Sequence, residues 1–242
     1  DFSLNLEELT KMTIELPEQI KSAIAAEPGI FLDLASTVLG IPLDLLLIAD
    51  KTHSLAPDFV PPDLVDLSDY PIVTGRNGLL LREIVMPDLL AMNEAAKNDS
   101  ITLVFSSTYR SYDYQKGVYE RAVAREGKEQ ADRESAQPGK SQHQLGTTID
   151  FGSITDEFGD TPAGRWLAEH AWEYGFSLSY PEGYESVTGY RHEIWHYRYI
   201  SRPAARMEHE FFDSVQYYLL VFLADHLEHL RGAYTTGNDN ST

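Results

Sequence analysis

Four short runs of apolar residues, separated by stretches with helical character, constrain the fold of this chain most. They are rich in β-branched or aromatic residues or alternate between apolar and polar positions, as strands do. The four runs are Ile101–Phe105, Thr147–Phe151, Phe176–Tyr180 and Ile194–Ile200. The stretches predicted to be helical are 79–98, 112–127 and 161–175. This order predicts an α+β fold, with a small, mostly antiparallel sheet and flanking helices on one side.

Helical extensions are predicted on both sides of this region. The residue pattern over 1–50 predicts short helices with an apolar stripe. From Pro203 onward, apolar residues recur at helical spacing and Gly232 follows the last of them, which predicts one helix over 203–231. The expected parts of the chain are a helical N-terminal extension (1–45), the α+β domain (46–201) and a C-terminal helix and tail (202–242).

Two stretches lack helical periodicity. Ala56–Pro71 carries four prolines between small and apolar residues, which predicts an extended crossing segment rather than a helix. Glu126–Lys140 is polar and ends in Pro138-Gly139, which predicts a loop.

The charge and the missing cysteines exclude several classes of function. Lys and Arg number 19 against 38 Asp and Glu, and a formal charge of -19 disfavours binding to nucleic acid or to anionic membranes. Without cysteine, the chain has no disulfide and no thiol nucleophile, so His, Asp or Glu must hold any metal. Its longest apolar windows are too short to cross a bilayer, and no signal segment is recognisable.

Metal-capable side chains are concentrated in two non-helical segments. Ser141–Asp150 contains His143 and Asp150, and Glu193–His196 ends in a second histidine. A catalytic zinc takes three protein ligands and keeps one position open, which His143, Asp150 and His196 could satisfy. Taken singly, each of the three is more commonly a structural residue, so the prediction depends on their occurring together.

Glu193 precedes His196 by three residues. On a regular strand their side chains would face opposite sides, so Glu193 must lie on a bend before the strand if both are to face one site. There it could stand beside a metal without ligating it, as a general base does.

Several motifs in order resemble the VanY-type zinc D-alanyl-D-alanine carboxypeptidases, a group related to lysostaphin-type endopeptidases and the hedgehog signalling domain. The family pattern Ser-x-His-x-x-Gly-x-x-x-Asp is matched at Ser141–Asp150, and Glu-x-Trp-His at Glu193–His196. Upstream, Thr108–Tyr112 and Gln115 resemble the family's Tyr-Arg-Ser segment and the Gln that follows it. The resemblance covers roughly residues 46–201.

The resemblance implies a role for each matched residue. It makes His143, Asp150 and His196 the ligands of Zn²⁺ and Glu193 the base, and it places Arg110 near the scissile carbonyl, where it would stabilise developing negative charge. The residues expected to contact substrate are Gln115, Ser141, Arg110, His192 and Trp195. Two positions depart from the family: Ile194 replaces a usual Pro and His192 a usual aromatic residue.

The resulting expectation is a zinc-dependent carboxypeptidase that removes the terminal D-alanine of peptidoglycan stem peptides, acting outside the cytoplasmic membrane in a periplasm or at a cell surface. Three alternatives remain at this point: an L,D-carboxypeptidase, a cross-bridge endopeptidase, and an inactive peptidoglycan-binding module. Glu193 and Arg110 argue against the last, because a binding module needs no base.

Overall fold

The computed structural model describes residues 2–234. Its helices are α1 (Leu6–Met12), α2 (Glu18–Ala26), α3 (Pro28–Val38), α4 (Met86–Asn98), α5 (Tyr112–Glu126), α6 (Lys128–Glu134), α7 (Pro162–His170), α8 (Glu185–Thr188), α9 (Arg202–Phe211) and α10 (Gln216–Ala233). Its strands are β1 (Leu64–Asp66), β2 (Val73–Thr74), β3 (Leu80–Arg82), β4 (Val104–Ser107), β5 (Thr148–Phe151), β6 (Phe176–Leu178) and β7 (His196–Tyr199). Within the described residues, no helix is both long and apolar enough to span a membrane.

The main sheet has five strands in the order β2-β4-β5-β7-β6. β2 runs parallel to β4, and the other three pairings are antiparallel. β1 and β3 form a separate antiparallel pair. The predicted α+β fold with a small, mostly antiparallel sheet is therefore confirmed. The central strands β5 and β7 are buried along their whole length.

Two hydrophobic cores hold the structure together. The first lies between the sheet and the helices packed on it, and includes Phe105, Phe151 and Leu89. The second joins the N-terminal helices α1–α3 to α9 and α10. At its centre the fully buried ring of Phe31 lies 5.4 Å from Phe211 and 5.8 Å from the ring of Phe222. The two ends of the chain thus share one core.

The single C-terminal helix predicted over 203–231 is wrong. α9 ends at Phe211, and α10 begins at Gln216 after a turn in which Asp213 and Ser214 have φ of 56° and 53°. Phe212 and Val215, on either side of these two residues, are both fully buried. Apolar residues therefore continue through the turn, and their spacing does not indicate that the helix ends there.

Two further sequence predictions need correction. The segment 126–140 is not a loop throughout, because it contains α6, where Lys128 pairs with Asp132 one helical turn later. The segment 79–98 begins as strand β3, and its helix starts only at Met86. The helix predicted from Pro162 is present as α7 and passes into a 3-10 turn that ends at Gly175.

Candidate metal centre and active-site cleft

A tight turn before β5 positions His143. The residues Gln142–Leu145 form a 3-10 helix, and the hydroxyl of Ser141 accepts a hydrogen bond from the backbone N–H of His143 at 3.3 Å. Gly146 then adopts φ of 70°, which costs glycine little. A Cβ on Gly146 would also lie 3.0–3.1 Å from neighbouring side chains, including Arg82 and Leu64. This turn returns the chain into β5, so His143 sits close to that strand.

The register of β5 and β7 brings the next two residues together. Asp150 pairs directly with His196 across the two antiparallel strands. His196 Nδ1 lies 3.1 Å from Asp150 Oδ1, and His143 Nε2 lies 3.1 Å from Asp150 Oδ2. One potential ligand atom from each of the three residues lies within 4.8 Å of the others. The structure therefore brings His143, Asp150 and His196 into one cluster.

Each histidine ring is held by its second nitrogen. His143 Nδ1 lies 2.6 Å from the carbonyl oxygen of Thr108, and His196 Nε2 lies 3.1 Å from Oε1 of Gln142. Because both partners are oxygen acceptors, these nitrogens carry the protons, and His143 Nε2 and His196 Nδ1 keep their lone pairs towards Asp150. Metal-ligating histidines in proteins are typically fixed in this way.

The ionisation of the cluster suits a metal. Burial, together with the Arg110 guanidinium, lowers the pKa of His143 to about 4, so its ring is neutral near pH 7. Burial alone would raise the pKa of Asp150, but the polar contacts of its carboxylate, which include the Arg110 guanidinium at 2.8 Å, hold it well below its usual range.

The three side chains can be compared with the ligands that zinc takes in catalytic sites. All three side chains are buried, with relative exposures of 2–4%, and Asp150 Oδ1 is a buried oxygen without a hydrogen-bond donor among the described residues. Two imidazole nitrogens and one carboxylate oxygen are ligand types that zinc takes in catalytic sites. The residues present therefore fit Zn²⁺.

Arg110 lies against the same cluster. Its Nη2 donates to Asp150 Oδ2 at 2.8 Å and lies 3.0 Å from His143 Nε2, while Nη1 donates to Gln115 Oε1 at 3.1 Å. The lone pair of His143 Nε2 cannot serve a guanidinium and a metal at once. A metal in this cluster requires Nη2 to leave His143, whereas the bond to Gln115 can stay.

Glu193 stands beside the cluster. It lies in the loop before β7, as the spacing predicted, and its Oε2 is 3.4 Å from His196 Nδ1. Burial, with a contribution from the negative charge of Asp150, raises the pKa of Glu193 to about 7. A carboxyl group that titrates near neutrality is suited to proton transfer.

These residues face a cleft of about 360 Å³. Gln115, Ser141 and Trp195 also line it, but His192 does not. His192 lines a neighbouring depression with Arg133 and Glu185, which does not support its expected contact with substrate.

Sequence reasoning missed other residues of the cleft and its surroundings. The ring of Tyr180 lies 4.8 Å from that of His196, and the guanidinium of Arg191 lies 5.4 Å from the ring of Trp195. Gln142 lies within the His143 motif, but at a position where the motif specifies no residue type. Only its contact with His196 reveals a role.

The chain matches a known protein family. The family model for VanY, D-alanyl-D-alanine carboxypeptidase, matches residues 78–202. The chain belongs to the VanY family. The resemblance noted in the sequence is thereby confirmed.

A curated relative named as a carboxypeptidase supports the assignment of this chain to the VanY family. It is 33% identical over 174 residues to YodJ of Bacillus subtilis (strain 168), which carries a provisional name as a carboxypeptidase; the match covers 69% of this chain and 63% of YodJ. The chain spans between about half and two thirds of the length of the first curated relatives it matches.

Solved structures show the same fold. The LD-carboxypeptidase LdcB matches with a TM-score of 0.67 and 29% identity, covering 73% of this chain and 86% of LdcB. A mutant of the vancomycin-resistance D,D-pentapeptidase VanY, solved with Zn(II), matches with a TM-score of 0.62 and 25% identity, covering 74% of this chain and 99% of that one.

Proposed function

We propose that this protein is a zinc-dependent D-alanyl-D-alanine carboxypeptidase that trims peptidoglycan stem peptides. The observation that carries the proposal is the convergence of His143, Asp150 and His196 in a cleft, with Glu193 beside them but outside the ligand set. Membership of the VanY family and the zinc in a related D,D-pentapeptidase support it.

His143 Nε2, Asp150 and His196 Nδ1 would hold the zinc ion. Zinc with three protein ligands lowers the pKa of the water in its open position to about 7 and polarises a substrate carbonyl. The protein's own contribution is to keep the two rings in the required tautomers and the carboxylate ionised, as the contacts of the cluster do.

Glu193 is the proposed proton carrier. Its carboxylate takes a proton from the attacking water and gives it to the departing amine, so that one group acts as base and then as acid. A pKa near 7 allows both transfers at neutral pH.

Arg110 is the proposed positive partner for substrate. Once Nη2 is released from His143, the guanidinium can grip the oxyanion or the C-terminal carboxylate of the peptide through paired hydrogen bonds. Gln115 would keep the arginine aimed at the cleft through its bond to Nη1.

The length of the cleft supports a peptide longer than a dipeptide. Gln115, Val118, Ala122 and Arg125 lie on one face of α5 and line the cleft together. At 1.5 Å per residue, this face extends for about 15 Å. An extended peptide of four or five residues has this length.

A second activity is favoured by one specific comparison. LdcB, named as an LD-carboxypeptidase, has the TM-score of 0.67 reported above, so removal of a D-alanine that follows an L-centre is the alternative. Either substrate belongs to the cell wall, which places the proposed site of action outside the cytoplasmic membrane.

The deciding experiment is mass spectrometry of purified stem peptides after incubation with the zinc-loaded protein. Loss of one alanine from a pentapeptide ending in D-Ala-D-Ala supports the main proposal, and trimming of the tetrapeptide alone supports the L,D alternative. If neither peptide is shortened while zinc is bound, the carboxypeptidase proposal is wrong. Cleavage only of cross-linked dimers would identify an endopeptidase.

A further inference from the structure

A buried chain of hydrogen bonds connects the metal cluster to the C-terminal helix α10. Gln142 Nε2 donates to Oε1 of Gln216, the first residue of α10, at 3.0 Å. Gln216 Nε2 in turn lies within hydrogen-bond distance of the hydroxyls of Ser177 and Ser179, at 3.0 and 3.2 Å. The Ser179 hydroxyl donates back to Gln142 Oε1 at 2.6 Å. Gln216 is only 1% exposed.

The donors and acceptors of this chain form a consistent set. Gln142 Oε1 receives both the Ser179 hydroxyl and His196 Nε2–H, which uses its two lone pairs. Both amide protons of Gln216 are used by the two serine oxygens, and its Oε1 receives the amide of Gln142. In this arrangement Gln142 presents its oxygen, rather than its amide N–H, to His196.

The orientation of Gln142 decides whether His196 can bind a metal. If the Gln142 amide were reversed, its N–H would face His196 Nε2, and the ring proton would move to Nδ1. Nδ1 is the nitrogen that faces Asp150, so a proton there removes the lone pair that a ligand needs. A partner that holds the Gln142 amide therefore controls the tautomer of the ligand.

We propose that Gln216 is a positioning residue of the metal centre: through Gln142 it keeps the proton of His196 on Nε2 and the lone pair on Nδ1. This rests on the metal site of the proposed function, but not on its substrate. The family match ends at residue 202, so it does not extend over the C-terminal helices. The proposal gives these helices a role at the metal site.

The turn between α9 and α10 places Gln216 at this point. Asp213 and Ser214 both adopt left-handed backbone conformations there, so α10 sets out in a new direction with Gln216 at its start. Behind it, Leu219 and Leu223 are buried in the second core. That core therefore anchors the residue that orients Gln142.

Zinc affinity tests the proposal separately from activity. In Gln216→Met, an unbranched apolar side chain of similar length removes both the donor and the acceptor. We expect the dissociation constant for zinc, measured by competition with a chelator, to rise by about 10–100-fold, as is typical when the partners of metal ligands are lost. Leu230→Ala is the matched control: Leu230 is fully buried in the same core but lies about 20 Å along α10 from Gln216, so the change should lower the melting temperature and leave zinc affinity unchanged.

A double-mutant cycle tests the tautomer directly. In Gln142→Glu, both side-chain oxygens accept, so no reversal can offer an N–H to His196. Gln216→Met should then weaken zinc binding by less than about threefold in the Gln142→Glu background. Equal weakening in both backgrounds would overturn the proposed control of the tautomer.

Two further outcomes distinguish the positioning role of Gln216 from the existence of the metal centre. Zinc affinity unchanged in Gln216→Met would reduce Gln216 to a structural residue and leave the proposed function intact. Wild-type protein that bound no zinc would overturn the metal centre and the positioning role together.

Discussion

The pKa values of two buried carboxyl groups at the site, Asp150 and Glu193, are shifted in opposite directions by their surroundings. Burial alone would raise the pKa of Asp150, but polar contacts that include the Arg110 guanidinium hold it well below its usual range. Glu193 touches only the edge of the cluster, and burial raises its pKa to about 7. Such divergence is typical of sites in which one carboxylate stays ionised while the other exchanges a proton.

Glu193→Gln should abolish most activity and leave zinc bound. The amide keeps the shape of the side chain but cannot accept a proton, and a general base is typically worth about 10²–10⁴ in rate. The measurements are kcat on a stem pentapeptide and the zinc content of the purified variant. Glu182→Gln, an exposed change outside the cleft, should match wild type. Loss of zinc from Glu193→Gln would identify Glu193 as a ligand instead.

Arg110 should discriminate between a free and a blocked peptide end. A stem peptide ending in a free carboxylate should have a higher kcat/KM than its C-terminal amide, and Arg110→Lys should be impaired because an ammonium lacks the forked geometry. In Arg110→Ala the preference for the acid should shrink. A preference that persists unchanged would place the carboxylate contact elsewhere, and equal rates for acid and amide in wild type would favour an endopeptidase.

At the scale of elements, strand register and helix placement determine the site. Asp150 faces His196 only because β5 and β7 pair in this register, and a slip of one residue would turn Asp150 to the opposite face of the sheet. α9 contributes a third buried carboxyl group, Glu208, which is 4% exposed and whose pKa burial raises to about 8 from an ordinary 4.5.

Glu208 should make the fold less stable as pH rises. Below pH 4.5 the group is protonated in both the folded and unfolded states, so its titration does not affect stability there. Between pH 4.5 and 8 the unfolded state ionises while the folded state holds its proton, so stability falls with pH and levels off above 8.

Glu208→Gln removes this difference between the two states. It should raise the free energy of unfolding of the metal-free protein by up to about 3 kcal/mol at pH 7, and by little at pH 4. Urea unfolding at both pH values measures it. Glu210→Gln, an exposed change on the same helix, should show no such dependence on pH. The same gain at both pH values would contradict the predicted titration.

At the scale of the whole molecule, the two ends of the chain stabilise each other. α3 and α9 pack together, and an isolated bridge pairs Phe2 with Tyr234. The second core therefore couples residues near the N terminus to the helix that begins at Gln216. The N-terminal helices lie far from the cluster in sequence, yet they support the helix whose first residue contacts Gln142, the hydrogen-bond partner of His196.

Phe31→Ala should destabilise the whole molecule by about 3–5 kcal/mol, since its ring is fully buried among three other phenylalanines, Phe211, Phe212 and Phe222. Thermal and denaturant unfolding measure the loss. Ile30→Ala, at a neighbouring side chain that is 44% exposed, should stay within about 0.5 kcal/mol of wild type. If Phe31→Ala cost no more than Ile30→Ala, the second core would contribute little to global stability.

Local patterns in the sequence were enough to predict the fold class and the family. The strand runs follow from alternation of apolar and polar residues. The start of α7 at Pro162 and the end of α5 just before Gly127 follow from capping residues and glycine, and all of these signals act over a few residues. The spacing of Glu193 and His196 likewise required a bend before the strand, and β7 does begin at His196.

Tertiary structure decided what depends on contacts between distant residues. The turn after Phe211 is invisible to periodicity because buried residues continue through it, and the polar α6 offers no apolar stripe to recognise. Gln142 and Gln216 are 74 positions apart, and no local rule joins them. Short-range preferences determine which elements form; burial and hydrogen bonding across the folded chain determine which side chains meet and what they can do.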